Sequence, residues 1–307
     1  MIYSILFIFT INLVFSMESS TKDSSVIVNK KNCKFINKEI ITELFWDTQE
    51  KVTTIPKCIF KFQNLTKLTL INNNIREIPK SILKLTKLEE LNLSKNKLNS
   101  FPLFLSELNH LKTLNLDINQ IVSPINKMYK KFVFHSLKEL RIGANKIQRL
   151  DWLDIFPNLE KLFAYELILN TKYSLAKIDT LKKLDLDNCK FSDNSMNNVV
   201  FIPMLNNLEW LLMRNTGISS LHSIPSLPNL KYLLVQDNKI ELIDDDIARF
   251  PKLIWVILVN NNIKRIKVYK HQLPDIKLLN LRGNPIFNLP DAIITDIDEL
   301  KVENINE

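Results

Sequence analysis

The side chains best suited to chemistry in this sequence are its paired acids. Asp185 and Asp187 alternate along one short segment, so on a strand both carboxylates would face the same side and could in principle bind a cation. Three lysines lie close to this pair in the sequence, namely Lys182, Lys183 and Lys190. Ordinary ion pairing on a solvent-facing surface is therefore the favoured interpretation of the two acids.

The sequence contains no recognisable catalytic constellation. Its four histidines stand far apart with no repeated spacing, at His110, His135, His222 and His271. A His-Glu-x-x-His zinc motif, a Cys-x-x-Cys pair and a Gly-x-Ser-x-Gly elbow do not occur, and three isolated glycines cannot form a phosphate-binding loop. We therefore predict a protein that is not an enzyme and needs no metal or cofactor. The remote alternative is an enzyme with an unfamiliar site, whose activity a single Asp or His substitution would abolish.

The charge balance is basic but dispersed. The chain has 307 residues, with 41 Lys and Arg against 33 Asp and Glu, and a formal net charge of +8. Clusters at Lys127–Lys131 and Lys264–Lys270 could attract nucleic acid or anionic lipid. Because these clusters lack interleaved aromatic residues on a common face, we do not expect nucleic acid as a partner.

A repeated apolar frame dominates the chain. It begins as Leu65-x-x-Leu68-x-Leu70-x-x-Asn73-x-Ile75 and returns at steps near 23 residues until about residue 290. Ten units follow this frame, beginning at Leu65, Leu88, Leu111, Leu137, Leu159, Leu181, Leu208, Leu230, Leu253 and Ile276. A degenerate eleventh unit precedes them, with Phe45, Val52, Ile55 and Ile59 at the apolar positions. Self-similarity at this period is typical of a repeat architecture.

This frame resembles the leucine-rich-repeat family over roughly four-fifths of the chain. Units ending in Ile-Pro-x-x-Ile, as at Ile78 to Ile82, are similar to plant-type repeats and to those of the intracellular Ras-pathway scaffold. The 22-residue units, as at Leu208 to Pro228, are similar to phosphatase-regulator repeats. The resemblance implies an α/β solenoid of ten to eleven repeats, with a curved parallel sheet on the concave face and short helices or 3-10 turns on the convex face. It also implies protein binding without catalysis.

The spacing has a physical basis. One unit cannot bury its apolar face alone, so stacked units must share a core, with alternate residues of Leu-x-Leu pointing inward. The recurring asparagine would turn the chain and satisfy buried backbone groups at Asn73, Asn96, Asn119, Asn145, Asn238, Asn261 and Asn284. Leu167, Cys189 and Thr216 interrupt this ladder, which leaves the regularity of the middle of the stack open. Two longer units, from Asn119 to Asn145 and from Cys189 to Thr216, are expected to extend the convex segments or to supply a loop that contacts a partner.

The register predicts which residues the concave sheet displays. Its N-terminal half is polar, whereas the C-terminal half places Trp210, Tyr232 and Trp255 in one column, with rings about 5 Å apart. Contiguous exposed aromatics of this kind are typical of interfaces. We predict that a protein partner binds Trp210, Leu212, Arg214, Tyr232, Leu234, Trp255, Ile257, Val259 and Leu278, together with Phe163 and Tyr165 on the preceding unit. Self-association through this surface, or a purely structural aromatic stripe, is the alternative.

The N-terminal residues predict secretion. Met1 to Ser16 contain no charged side chain, and the apolar run from Ile5 to Phe15 is too short to span a bilayer but is typical of a signal peptide. No second apolar span follows, so the mature chain would have no stable membrane anchor, and we expect it in the secretory pathway or outside the cell. A cytoplasmic regulatory scaffold similar to the phosphatase-regulator or Ras-pathway proteins is the alternative, and it requires that this segment not act as a signal.

Cysteines and glycosylation sequences also bear on whether the chain is secreted. Cys33 and Cys58 flank the start of the repeats, where a disulfide could stabilise an N-terminal cap, although two free thiols are an open alternative. Asn64 and Asn92 begin Asn-x-Ser/Thr sequences that would be N-glycosylated in a secreted chain. The expected organisation is a signal peptide at 1–17, an N-terminal cap region at 18–44, the solenoid at 45–290 and an acidic C-terminal cap or tail at 291–307.

Overall fold

Thirteen parallel strands form one continuous sheet along the molecule. The structure is a computed structural model, and it describes residues 24–46, 49, 51–124, 127–192, 201–268, 275–287 and 299–301. Neighbouring strands follow the order of the chain, as one supersecondary unit stacked on the next requires. The strands of this sheet are β1 Ser25–Val28, β2 Glu43–Trp46, β3 Lys67–Thr69, β4 Glu90–Asn92, β5 Thr113–Asn115, β6 Glu139–Arg141, β7 Lys161–Phe163, β9 Lys183–Asp185, β11 Trp210–Leu212, β12 Tyr232–Leu234, β14 Trp255–Ile257, β16 Leu278–Asn280 and β17 Glu299–Lys301.

The return segments are built from 3-10 turns, and the described residues contain no α-helix. Two short strand pairs also lie in the return segments, β8 Ile168–Leu169 with β10 Lys190–Phe191, and β13 Leu242–Ile243 with β15 Arg265–Ile266. The 3-10 turns are Ile59–Lys61, Lys80–Lys84, Leu103–Glu107, Lys127–Lys131, Asp151–Ile155, Leu221–Ser223 and Asp245–Arg249. The first of the two longer units contains one five-residue 3-10 turn, Lys127–Lys131, as the two regular units before it do. Residues 193–200 of the second longer unit lie outside the described part of the chain.

The strand register confirms the ten-unit frame. Leu68 aligns with Leu91, and Leu91 with Leu114, and all three are buried. The unit in front of the ten differs, because its inward residues are Leu44 and Trp46.

The assignment of Phe45 to an apolar position of the frame is therefore wrong by one residue. Phe45 aligns with Thr69 and is only half-buried. Val52 lies eight positions after Leu44, whereas Ile75 lies seven positions after Leu68. A one-residue slip transfers side chains to the opposite face of a strand, so the extra residue changes which side chain is buried.

The asparagine ladder satisfies backbone groups on two successive repeats. Asn96 Oδ1 accepts a hydrogen bond from the Ile75 amide at 3.1 Å, and its Nδ2 donates to the Leu70 and Leu93 carbonyls at 2.9 and 3.0 Å. This side chain therefore pairs groups that the interior would otherwise leave without a partner, and removal of such a partner costs about 1–3 kcal/mol per orphaned group.

The interruptions of that ladder do not interrupt the sheet. Cys189 Sγ donates to the Ala164 carbonyl at 3.0 Å, and Thr216 Oγ1 donates to the Met213 carbonyl at 3.0 Å. The pairing continues from β7 through β9 and β11 to β12. The sheet is thus continuous through the middle of the solenoid. At Cys189 and Thr216 a smaller donor satisfies part of what the asparagine would bond, whereas the Leu167 side chain has no donor.

A second ladder of polar side chains caps the strands at their N-terminal edge. Asn158 Nδ2 donates to the His135 carbonyl at 2.8 Å, and Asn207 and Asn229 donate in the same way to the carbonyls of the preceding repeat, Asp179 and Asn206, at 2.7 Å each. This ladder was not predicted from the sequence, because serine, threonine and lysine occupy the same position in other units. Its signal is a polar residue immediately before the first leucine of each unit.

The residue before each position of the buried asparagine ladder (Asn73, Asn96 and their equivalents) adopts a left-handed backbone conformation. Nine of these residues are not glycine, and their φ angles lie between 50° and 57°. Asparagine tolerates this conformation better than most residues because its short polar side chain can bond locally, and β-branched residues tolerate it worst. Ile118 is the β-branched member of this column, with φ of 56° and a side chain that is 43% exposed.

Replacing Ile118 with asparagine is therefore expected to raise the free energy of unfolding by about 1 kcal/mol, because it relieves left-handed strain and buries nothing new. Urea unfolding measures this change. Ile168→Asn is the control, since Ile168 is an exposed isoleucine on β8 outside the positive-φ column. A gain of the same size in both variants would point to general surface polarity and not to backbone strain.

A disulfide joins Cys33 to Cys58, with the two Cα atoms 6.2 Å apart. It connects the segment between β1 and β2 to the residue just before the first 3-10 turn. The cap region is thereby tied covalently to the first return segment. Among the residues that the structure describes, no helix has the length and apolar character needed to cross a membrane. The predicted signal peptide lies outside the described residues, as does most of the predicted acidic tail.

Candidate partner-binding surface

Three aromatic rings lie in one column on successive strands. Trp210 aligns with Tyr232, and Tyr232 with Trp255, so in-register pairing alone brings the rings together. The Trp210 and Tyr232 rings stack with centroids 3.7 Å apart, and the Tyr232 and Trp255 rings meet edge to face at 5.2 Å. The edge-to-face arrangement of Tyr232 and Trp255 is one that aromatic pairs prefer. The inward neighbours Leu211 and Leu233 are fully buried, so the rings occupy the opposite, concave face.

The members of this column differ in how much surface they offer. Trp255 is 43% exposed, whereas Trp210 and Tyr232 are half-buried, partly by each other. Leu234, Ile257, Val259 and Leu278 are also half-buried on the concave side. Leu212 aligns with Leu234 but is only 8% exposed. Leu212 therefore adds little to the accessible surface that the sequence predicts, and Trp255 adds most.

Two cations lie against the aromatic surface at its N-terminal end. Lys183 Nζ is 5.2 Å from the centroid of the Phe163 ring and 5.4 Å from that of Trp210. The Arg141 guanidinium carbon is 4.1 Å from the Phe163 ring. Such contacts contribute about 0.5–1 kcal/mol each at exposed sites. Lys183 thus contacts both Phe163 and Trp210 and links Phe163 to the aromatic column, while Arg141 also lies against the Phe163 ring.

Two buried acids that follow concave strands, Asp117 and Asp187, bind arginines of the following repeat. Asp187 Oδ1 accepts a hydrogen bond from the Arg214 amide at 2.7 Å, and Asp187 Oδ2 accepts one from Arg214 Nε at 2.6 Å. Asp117 accepts in the same way from the Gly143 amide at 2.7 Å and from Arg141 Nε at 2.9 Å. The partner of Asp187 is therefore a side chain of the same protein. The described residues include no cluster of three His, Cys, Asp or Glu side chains that could bind a metal ion.

Tyr165 belongs to this polar network. A Cβ atom on Gly143 would lie 2.4 Å from the Tyr165 ring, so the absence of a side chain at Gly143 lets the ring lie against the strand before it. Burial, followed by the charge of Asp117, raises the pKa of Tyr165 to about 12. Tyr165 is half-buried beside Asp117, which makes it less available to a partner than Trp255 is.

The comparisons agree with this architecture. Residues 63–121 match the family model described as leucine rich repeat. The chain has the leucine-rich-repeat fold. Among solved structures, it is similar to a leucine-rich-repeat protein of Leptospira interrogans, at 22% identity over 91% of this chain and 84% of that one, with a TM-score of 0.54. No curated protein matches its sequence.

Two further solved structures that share the fold were determined as complexes. The first is an octameric complex of Latrophilin 3, Unc5D and FLRT2, matched at 19% identity over 88% of this chain and 85% of that chain, with a TM-score of 0.65. The second is the plant peptide hormone receptor RGFR1 in complex with RGF2, at 19% identity and a TM-score of 0.55. The chain spans about half of that receptor chain, since 86% of it covers 47% of the receptor. At such identities the likeness is one of fold.

The two Asn-x-Ser/Thr sequences of the chain lie in different surroundings. Asn64 Nδ2 donates to the Glu39 carbonyl at 2.7 Å at the N-terminal edge of the sheet. Asn92 lies on β4, and its Oδ1 accepts a hydrogen bond from Ser94 Oγ at 2.8 Å. A glycan on Asn92 would occupy the polar N-terminal half of the concave face and leave the aromatic half uncovered.

Cys189 is the cysteine outside the disulfide, and it is fully buried. Burial raises the pKa of its thiol to about 12, so almost no thiolate exists at neutral pH. We expect a maleimide or iodoacetamide reagent to leave the native protein unlabelled and to modify one thiol once urea unfolds it, as mass spectrometry would show. Rapid labelling of the folded protein would contradict the described packing of β9.

Proposed function

We propose that this leucine-rich-repeat protein is a non-enzymatic interaction module that binds a protein partner on the C-terminal half of its concave face. The observation that supports the proposal best is the exposed Trp255 in a column with Trp210 and Tyr232. Leucines and valines on the other side of the same strands already form the core, so the rings are not needed to fill it. Aromatic anchors beside arginine are the residues in which binding energy concentrates.

The proposal is tested by substituting the rings. We expect Trp255→Ala and Tyr232→Ala each to weaken partner binding by about 2 kcal/mol, a roughly thirtyfold loss of affinity, because truncation removes a central anchor. The partner is first captured with tagged protein from the cells or medium in which the chain is expressed, with the Trp210→Ala/Trp255→Ala double variant as the negative bait. The dissociation constants are then compared by calorimetry.

Met204→Ala is the matched control, since Met204 is an exposed apolar residue outside the concave strands. It should leave affinity unchanged. Thermal melting decides between a binding surface and a structural stripe: the proposal requires that Trp255→Ala shift the melting temperature little. A large loss of stability with normal binding of the folded fraction would assign the rings a structural role. Gel filtration tests whether the captured partner is a second copy of this chain.

We further propose that the protein acts in the secretory pathway or outside the cell. The Cys33–Cys58 disulfide supports this location, because structural disulfides persist in oxidising compartments and are rare in the cytosol. A C-terminally tagged chain should be recovered from the medium, and N-glycosidase should reduce its mass unless both Asn64→Gln and Asn92→Gln are introduced. Recovery from the cytosol with Cys33 and Cys58 reduced would favour the regulatory scaffold instead.

A further inference from the structure

Arg214 is the one charged residue among the concave positions of the three aromatic strands. These positions lie on β11, β12 and β14 and on the two residues that follow each strand, and the structure describes all of them. They are Trp210, Leu212 and Arg214, Tyr232, Leu234 and Gln236, and Trp255, Ile257 and Val259. The Arg214 side chain is 47% exposed, so a molecule that covers this surface can contact it.

Asp187 of the preceding repeat holds Arg214 in place and compensates its charge. Asp187 Oδ1 accepts from the Arg214 amide at 2.7 Å, and Oδ2 accepts from Nε at 2.6 Å and contacts Nη2. The Asp187 side chain is 5% exposed, so the pair is anchored below the surface. A guanidinium has five N–H donors. Within the described residues, the Nη1 group of Arg214 has no acceptor and is left for an acceptor from outside.

The charges around this pair also balance. The hydrogen bond to Asp187 raises the pKa of Arg214, and the charge of Asp187 acts in the same direction. The charges of Asp185 and Asp237 add to this effect. Lys183 on β9 interacts electrostatically with Asp185 in turn. A further carboxylate placed on Arg214 would therefore be repelled by acids that are already there, whereas a neutral oxygen would not.

The main-chain amides of the aromatic strands are already paired within the sheet. The Met213 amide donates to the Leu234 carbonyl at 2.9 Å, and the Val235 amide donates to the Ile257 carbonyl at 3.0 Å. A peptide segment that lies on the rings in an extended conformation buries carbonyl oxygens, and buried carbonyl oxygens need donors. Side chains of the surface must supply these donors. Arg214 is the strongest of them, since a charged donor forms the stronger hydrogen bond.

The separation of Arg214 from the exposed ring of Trp255 sets the length of such a segment. Trp255 lies two strands from β11, in the column of Trp210, and Arg214 lies four residues beyond Trp210 along the chain. At about 4.8 Å per strand and about 3.3 Å per residue the diagonal is roughly 16 Å, which about five residues of extended chain cover. The half-buried side chains of Leu234 and Ile257 occupy the row between.

On this basis, and resting on the proposed function, we propose that the partner presents an uncharged extended segment of about five residues. An apolar side chain of the segment lies on Trp255, and a main-chain carbonyl oxygen accepts a hydrogen bond from Arg214 Nη1. Asp187 is the positioning residue: it fixes the guanidinium and makes this end of the surface select a neutral oxygen over a carboxylate.

A random peptide library displayed on phage and selected against the immobilised full chain tests this chemistry. Peptides enriched on the wild-type protein should be apolar and without acidic bias. The affinity of one synthetic peptide from this set should change less than about twofold between about 50 and 500 mM NaCl. The same selection on Asp187→Asn should enrich acidic peptides, because Arg214 then loses the carboxylate that compensates its charge.

Asp117→Asn is the matched control. Asp117 is also 5% exposed and pairs with Arg141 on β6, three strands from β11. Loss of a buried acid is therefore the same in both variants, and only the distance from the aromatic column differs. Selection on Asp117→Asn should return the same peptides as the wild type. An equal gain of acidic peptides in both variants would mean that the total charge of the protein decides the selection and would overturn the role of Asp187.

An ester scan of the synthetic peptide identifies the carbonyl, because an ester oxygen is a weaker acceptor than an amide oxygen. One ester should lower affinity for the wild type about fivefold. Asp187→Asn/Arg214→Met removes the donor, so it should weaken the unmodified peptide about tenfold or more and make that ester nearly neutral. If this variant does not fold, Asp187→Asn/Arg214→Gln, whose side chains can still pair, replaces it. An ester effect that persists in the variant would come from the lost peptide N–H and would contradict the contact with Arg214.

The outcomes separate this inference from the proposed function. Wild-type peptides that need Trp255 but are acidic, depend strongly on salt or have no ester position coupled to Arg214 overturn the neutral segment and leave the aromatic binding surface intact. Peptides unaffected by the Trp210→Ala/Trp255→Ala double variant overturn both, as does a library that yields no binder to the wild-type chain.

Discussion

Replacing Asn238 with alanine is expected to lower the free energy of unfolding by about 4 kcal/mol, because several buried backbone groups lose their partner at once. Asn238 Oδ1 accepts from the amides of Thr216 and Gly217 at 3.0 and 2.8 Å. Its Nδ2 donates to the carbonyls of Met213 and Val235 at 2.8 and 2.9 Å. Thr216 occupies the ladder position of the preceding unit, so Asn238 is the asparagine that supports this irregular junction.

Urea unfolding followed by circular dichroism measures the effect. Asn229→Ala is the matched control, since Asn229 also bonds a carbonyl of the preceding repeat but at the outer edge, where water can replace it. We expect the control to cost less than about 1 kcal/mol. Equal losses in the two variants would mean that burial of the ladder does not determine its contribution.

Replacing Trp152 with alanine should cost about 4 kcal/mol, the loss expected when a large buried ring is removed and a cavity remains. Trp152 is 0% exposed and is the largest fully buried side chain of the protein. Its ring centroid is 4.8 Å from that of Phe101 and 6.0 Å from that of Phe156, and its Nε1 donates to the Arg149 carbonyl at 2.7 Å. This aromatic cluster packs next to the first of the longer units.

Trp255→Ala provides the contrast, because it makes the same chemical change on the concave face. Its effect on the free energy of unfolding should stay near 1 kcal/mol, since a ring that is 43% exposed leaves no closed cavity. Trp152→Phe should keep most of the packing while losing the Arg149 hydrogen bond and part of the ring volume. If both tryptophan-to-alanine variants were equally unstable, the separation of core from binding surface would be wrong.

These expectations follow because the two faces of each strand have different roles: one packs in the core and the other faces the concave surface. In β14, Val256 points into the shared core, while Trp255 and Ile257 face the concave side. Because neighbouring side chains on a strand point to opposite faces, stability and binding can be altered separately by substitutions one residue apart.

The sequence predicted the parts of the protein that depend on period. The ten units, the inward leucines and the aromatic column all follow from counting in steps near 23 residues, since parallel in-register stacking transmits the position of one residue to the next repeat. Phe45 shows the limit of that method. One extra residue between Leu44 and Val52 shifts the frame of β2 by one residue, so Leu44 and not Phe45 aligns with Leu68. No earlier repeat was available to reveal this shift.

What the sequence determined by itself is the stack, because a short apolar unit repeated ten times has no other way to bury its leucines. Only the tertiary structure decided which concave residues are accessible and paired. Asp187 binds Arg214, the Tyr165 ring lies against Gly143, and Leu212 is only 8% exposed. The first two are contacts between side chains or backbone of neighbouring repeats. Such contacts depend on ring orientation and hydrogen-bond geometry across about 5 Å between strands, and residue period carries no information about either.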